Sequence, residues 1–265
     1  MATSNQNLEI VQKAEYQDSY RALKKCRLWK SIVLITILVL SVGLPALHFF
    51  LPYHHTWAYL LDFVNIACII TYYILNVVSE TFLCPAAATQ NSRGFIDNSL
   101  GSKYLAKEVN GNFSNDNIPV GSYKLAVNCF ENVFWTYNIA KAMTPYVVIK
   151  NALCLFVFVI IAYIGLMNSV FALPILQILL SSMFLSELIH HLNFVSKLKS
   201  LNYRFRSLFE QGLTKSDLAR PIFFVLDYES VKAYNKAPFS DRVFLRLYDK
   251  LTDEWEEVKK RYDIR

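Results

Sequence analysis

Between Asp62 and Glu80 the chain reads DFVNIACIITYYILNVVSE, an apolar run that opens and closes on carboxylates and carries Asn65, Tyr72, Tyr73 and Asn76 between them. At 100° per residue of helix these six polar side chains fall within one sector of roughly 100°, so a single helix face is polar from end to end. Such a face avoids lipid. An acidic side chain at mid-membrane costs about 2.5 to 3.5 kcal/mol on translocon scales, and Asp62 and Glu80 lessen that cost by lying near the two interfaces. Further polar groups sit in other apolar stretches: Gln177, Ser181, Glu187 and His190 in one, Asn151, Cys154 and Gly165 in another. Two chemistries fit them. Hydrogen bonds between helices, worth about 0.6 kcal/mol each, would specify a tight bundle. Alternatively the polar faces line an aqueous path when the protein opens or assembles, and because four helices enclose little space, such a pore needs several copies.

Catalytic chemistry finds no complete set of residues. SELIHHLN holds Glu187, His190 and His191, and a Glu-x-x-His pair is half of a di-iron carboxylate site in helical bundles. The second pair and the further carboxylates are missing, and of the five histidines His48, His54 and His55 lie toward the opposite membrane face. Nucleophile elbow, P-loop, dinucleotide fingerprint and Cys-x-x-Cys are absent as well. No enzyme activity, catalytic residue, metal ligand or cofactor is therefore expected. Cys26, Cys68, Cys84, Cys129 and Cys154 are scattered and read as reduced core or span residues. Transport is poorly supported, because the apolar segments show no convincing internal repeat and Pro45 and Pro174 lie near outer helix ends.

The elements that must hold the polar face are set by where the apolar residues fall. In 265 residues 54% are hydrophobic and only 18% charged, below the roughly 25% charged of a soluble chain. Ser31–Leu51 carries no charge for 21 residues, enough at about 1.5 Å per residue to cross a hydrocarbon core of about 30 Å. Trp57–Val78 follows after the short PYHHT, and Val147–Met167 and Val170–Leu192 form a second close pair. The expected fold is all-α: an integral membrane protein of four transmembrane helices in two hairpins, with cytosolic helices. The segments are 1–30 (N-terminal helix), 31–78 (hairpin 1), 79–146 (cytosolic helical insertion), 147–195 (hairpin 2) and 196–265 (helical tail).

Of the 27 Lys and Arg, six precede the first span, five lie between Ser79 and Tyr146, fifteen follow Ser196, and Lys150 opens the third span. The hairpin tips hold none, so both termini and the middle loop are cytoplasmic by the positive-inside rule. The net charge of +6 then serves orientation and the lipid headgroups, as in RALKKCRLWK. A nucleic-acid polymer is not an expected partner, since no reader motif accompanies the charge. The polar first thirty residues are no cleavable signal peptide.

The cytosolic parts are mostly helical. A helix from about Asn7 to Lys30 has a partial apolar face of Leu8, Val11, Tyr16, Tyr20 and Leu23. Gly101–Gly121 is a flexible turn region. After it, Tyr123, Val127, Phe130, Phe134 and Tyr137 share one helix face, with Lys124, Asn128, Glu131 and Asn132 mostly elsewhere, and Pro145 is expected to break the chain before the third span. From an N-cap at Ser240, apolar residues from Phe244 to Tyr262 recur at steps of three and four, a narrow stripe that joins a coiled coil or docks on its own chain.

This layout, with CPAAATQNSRGFIDNSLG opening the insertion and Cys129, Glu131, Asn132 and Trp135 in CFENVFWTYNIAKAM, resembles the SMODS-associated four-transmembrane effector family over nearly the whole chain. The shared motifs are Ala86–Gln90 after the second span and the Cys129–Trp135 set before the third. The resemblance implies a pore-forming effector in the bacterial inner membrane, acting in anti-phage systems built around cyclic-oligonucleotide synthases. It would assemble as a homo-oligomer when a cyclic nucleotide or an activated cytosolic partner engages it, with Arg204, Arg206 and Trp135 as the candidate surface. The other reading of the same fold is a non-conducting scaffold, or an immunity or assembly factor, that holds a cytosolic partner at the membrane.

Overall fold

The computed structural model describes residues 18–50, 55–104, 115–167, 183–213, 219–234 and 240–264. These are helical throughout apart from short connections, with no strand among them. The helices are α1 (Asp18–Phe50), α2 (His55–Val78), α3 (Cys84–Leu100), α4 (Ser122–Met167), α5 (Met183–Glu210), α6 (Ala219–Tyr234) and α7 (Asp241–Arg261). A π-turn at Ser79–Leu83 joins α2 to α3 without a break, and the Cys84 N–H bonds the Ser79 carbonyl five residues back. Two compact units result: residues 1–97 with 103–112, and residues 98–102 with 113–265.

In the first unit α1 and α2 pack as an antiparallel hairpin. Their direction follows from pairs such as Cys26 with Leu75 and Lys30 with Asn76, which join the early part of α1 to the last turn of α2. Along α2 the half-buried positions Leu61, Asn65, Cys68, Tyr72 and Leu75 recur every three or four residues and face α1, while the positions between them are exposed. Ile66, Ile69, Ile70 and Ile74 lie on that outward surface, and leaving a side chain of this size in water forgoes about 1.5–3 kcal/mol each. Among the described residues one helix, Tyr59–Leu100, is long and apolar enough to cross a membrane, and none of its apolar 18-residue window is buried. The expected N-terminal helix is seen from Asp18, beyond which α1 runs past Lys30 to Phe50; Leu8, Val11 and Tyr16 lie outside the described residues.

The second unit is built around α4. This helix runs 46 residues with Pro145 inside it, so the break expected there does not occur. A proline removes one N–H from the ladder and crowds the carbonyl four residues back, but packing holds the helix on both sides: Met143 and Val147 are buried, and Pro145 itself faces outward. The Thr144 hydroxyl adds a bond to the Ala140 carbonyl at 3.2 Å. The insertion and the third apolar stretch are thus one element, as are the second apolar stretch and the start of the insertion. Of Val170–Leu192, residues 170–182 lie outside the described residues, and the remainder opens α5.

An aromatic cluster holds the helices of this unit together. Phe130 stacks on Phe205 and Phe209 of α5 at 5.5 and 5.4 Å between centroids and meets Trp255 of α7 edge-on at 5.2 Å. Trp255, 1% exposed, also packs on Phe134, while Trp135 lies between Phe244 and Tyr248. The apolar stripe of the tail therefore docks on its own chain. Its helix begins after Ser240, whose backbone is extended as an N-cap requires but whose side chain makes no cap bond. Gly101 and Gly212 end α3 and α5 at positive φ (+71° and +79°), where a side chain would be strained.

Candidate functional site

The polar face between Asp62 and Glu80 is divided by the structure. Asn65, Tyr72, Asn76 and Glu80 are half-buried, whereas Asp62 and Tyr73 are exposed, and the covered face also takes in Leu61, Cys68, Leu75 and Ser79, so the face that meets α1 is displaced from the 100° sector drawn from the sequence. Packing rather than polarity selects it: Tyr73, at one edge of the sector, falls outside, while Tyr72, at the other edge, lies inside. Lys30 gathers the end nearest the π-turn. Its Nζ donates to Asn76 Oδ1 at 2.6 Å, stands 3.7 Å from Glu80 Oε1, and lies 5.9 Å from the centroid of the Tyr72 ring. Glu80 is placed by the π-turn, whose first residue, Ser79, is 1% exposed, with a hydroxyl that finds no hydrogen-bond partner among the described residues. Turns of this kind recur at functional sites. The sequence alone presents Lys30 only as an orienting charge; its partners lie 46 and 50 residues away, and no local spacing signals them.

The second unit has a polar seam of the same kind between α4 and α5. Lys150 Nζ donates to both carboxylate oxygens of Glu187, at 2.7 and 2.6 Å. One turn on in α5, His191 is buried, with Nε2 3.2 Å from the Thr144 hydroxyl, while His190, the histidine picked from the sequence, is exposed. Asn151, 6% exposed, donates to the Val147 carbonyl at 2.8 Å and leaves its Oδ1 buried without a hydrogen-bond partner among the described residues. Gln177 and Ser181 lie outside the described residues.

A third polar cluster sits on α4, on the side away from the apolar face read from the sequence. Lys124, Asn128 and Glu131, at spacings of four and three, are all buried, Asn128 completely. Asn128 Nδ2 donates to Asn98 Oδ1 at 2.8 Å and Ser99 Oγ at 3.0 Å, and Asn115 Nδ2 donates to Asn128 Oδ1 at 3.0 Å and Glu131 Oε2 at 2.5 Å. Buried polar groups are tolerated when bonded to one another, and these partners come from segments 13 to 30 residues away. Cys129 and Glu131 of the Cys-Phe-Glu-Asn run thus supply core, with Cys129 fully buried beside Phe130 and its thiol pushed far above the usual range by desolvation, Lys232 pulling it down and Glu229 adding to the rise.

On the tail, Arg204 is engaged with Asp227 at 2.5 Å and lies over Phe224, 4.6 Å from its centroid. It lines a groove of about 300 Å³ between α5 and α6 together with Tyr203, Ser207, Gln211 and Arg220. Arg206 is half-buried, with Nε lacking a hydrogen-bond partner among the described residues, and Trp135 is packed against α7. Arg204 and Trp135 therefore do structural service, and ligand access to the Arg204 guanidinium competes with Asp227. Among the described residues no three His, Cys, Asp or Glu side chains are grouped to hold a metal ion. No protein-family model, curated protein or solved structure matches the chain.

Proposed function

We propose that the chain is a four-span protein of a bacterial inner membrane, both termini cytoplasmic, that assembles into a pore and depolarises the membrane when a cyclic-nucleotide-type signal or an activated partner engages its cytosolic helices. The observation that carries this reading is the division of α2: an outward surface of isoleucine, phenylalanine and tyrosine that none of the described residues covers, and a polar line turned toward α1. Lipid relieves the cost of the first, and hydrogen bonding within the hairpin satisfies the second until the hairpin opens. The layout and the motifs at Ala86–Gln90 and Cys129–Trp135 guide the choice of a defence effector.

The test is inducible expression in a bacterium with a membrane-potential dye, with and without any neighbouring synthase gene. Depolarisation that depends on the neighbour, and that is lost in Asn65→Leu, Asn76→Leu protein of undiminished abundance, is the expected result; a steady potential with well-inserted protein overturns it. The second reading, a non-conducting scaffold, is favoured by one observation. Tyr203, Phe223 and Leu226 are 56% or more exposed beside the α5–α6 groove, a face on which a cytosolic partner can seat.

A further inference from the structure

Each hairpin is closed, where its apolar run begins, by a lysine from its first helix and a glutamate from its second. We infer that these are clasps in which the lysine ammonium occupies the place of a monovalent cation, and that parting the hairpins opens those places to cations from solution. The inference rests on the pore reading above.

In the first hairpin the ammonium has a carbonyl oxygen at 2.6 Å (Asn76 Oδ1), a carboxylate oxygen at 3.7 Å (Glu80 Oε1) and an aromatic face at 5.9 Å (Tyr72). Amide and carboxylate oxygens are hard ligands for a small cation, and the face of a tyrosine ring attracts positive charge. All three lie on one continuous helical run, at positions 72, 76 and 80, so they stay together when α1 moves away and takes Lys30 with it. In the second hairpin both oxygens of Glu187 close on Lys150, and the buried Asn151 Oδ1 next along α4 lacks a hydrogen-bond partner among the described residues. An apolar interior leaves such an acceptor unbonded only at a cost of about 1–3 kcal/mol; water or a cation entering the seam removes it.

The two pairs have the same sense along the chain. Lys30 follows twelve helical residues of α1 and Lys150 is the twenty-ninth residue of α4, each where an apolar stretch begins; Glu80 and Glu187 stand where the returning helix runs on into a polar segment. Of the exposed side chains around them, Leu28 and Val77 in one hairpin and Ile149 and Ile189 in the other are apolar, while Ser31 and His190 are polar. Each charge is turned toward its partner. A carboxylate uncovered there draws cations and repels anions, which makes the open state cation-selective.

The experiment uses the full chain in liposomes carrying a potassium gradient in one preparation and a chloride gradient in another, together with hydrogen exchange across residues 76–83 and 147–151. Lys30→Met with Lys150→Met is expected to raise potassium flux by about tenfold over the unaltered chain, the ratio that corresponds to about 1.4 kcal/mol, with little chloride flux and faster exchange in both segments. Charge exchange, Lys30→Glu with Glu80→Lys, is expected to return exchange in 76–83 to its original rate, which separates a lost clasp from a misfolded hairpin. Unchanged exchange in the Lys→Met protein overturns the clasps, and equal potassium and chloride flux overturns the cation assignment. Faster exchange with no flux of either ion overturns that assignment too, by removing the pore reading on which it rests.

Discussion

Phe130 touches four other aromatic rings, on α5, on α7 and on the turn after it, so its removal opens a cavity that no single neighbour can fill. Phe130→Ala is expected to destabilise the second unit by about 3–5 kcal/mol, measured by denaturant unfolding of the detergent-solubilised protein followed by tryptophan fluorescence. Its neighbour Cys129 makes a pH prediction. An unfolded thiol ionises near pH 8.5, whereas burial holds the folded one protonated well above that. Above about pH 8.5 the unfolded chain sheds a proton that the folded chain keeps, so stability falls as pH rises, by at most about 1.4 kcal/mol per unit, and is unaffected by this group below that pH. Comparing the alkaline limb of stability with that of Cys129→Ala isolates the effect: the variant loses the thiol's share of the slope.

At the scale of elements, helical periodicity was legible and the covering of each face was not. The stripe from Phe244 to Tyr262 could be read as docking, but its target, Phe130 and Phe134, lies more than a hundred residues away. For α4 the pattern separates a polar from an apolar side without saying what covers the polar one; the structure buries it, because Asn98, Ser99 and Asn115 bring the bonds that water would otherwise supply. Composition cannot report such a long-range partner. Pro145 misled for the opposite reason: a strong local rule was overridden by packing on either side. Pro145→Ala restores the missing N–H, and amide exchange through residues 141–149 is expected to slow by about tenfold, as for a local gain of about 1.4 kcal/mol; an unchanged rate would mean that the missing bond does not limit opening there.

For the whole molecule, charge distribution and the apolar runs make one prediction that does not depend on how the protein acts. With the five native cysteines replaced by alanine, single cysteines placed at Tyr53 and Asn168 should be labelled by a membrane-impermeant reagent from the outside of intact cells, and cysteines at Ser4 and Tyr262 only after the cells are opened. Labelling of Tyr262→Cys in intact cells would reverse the topology.

The length of α4 has a mechanical consequence. Its 46 residues span about 70 Å at 1.5 Å per residue, from the aromatic cluster at one end to the apolar run that finishes at Met167 at the other. A rod of this kind behaves as a lever: pivoting it by about 5° at the clustered end swings the far end through about 6 Å, more than one helical turn of height. Turning the shaft works against its joints with α5, Thr144 with His191 and Lys150 with Glu187, and those joints set how far such a lever travels.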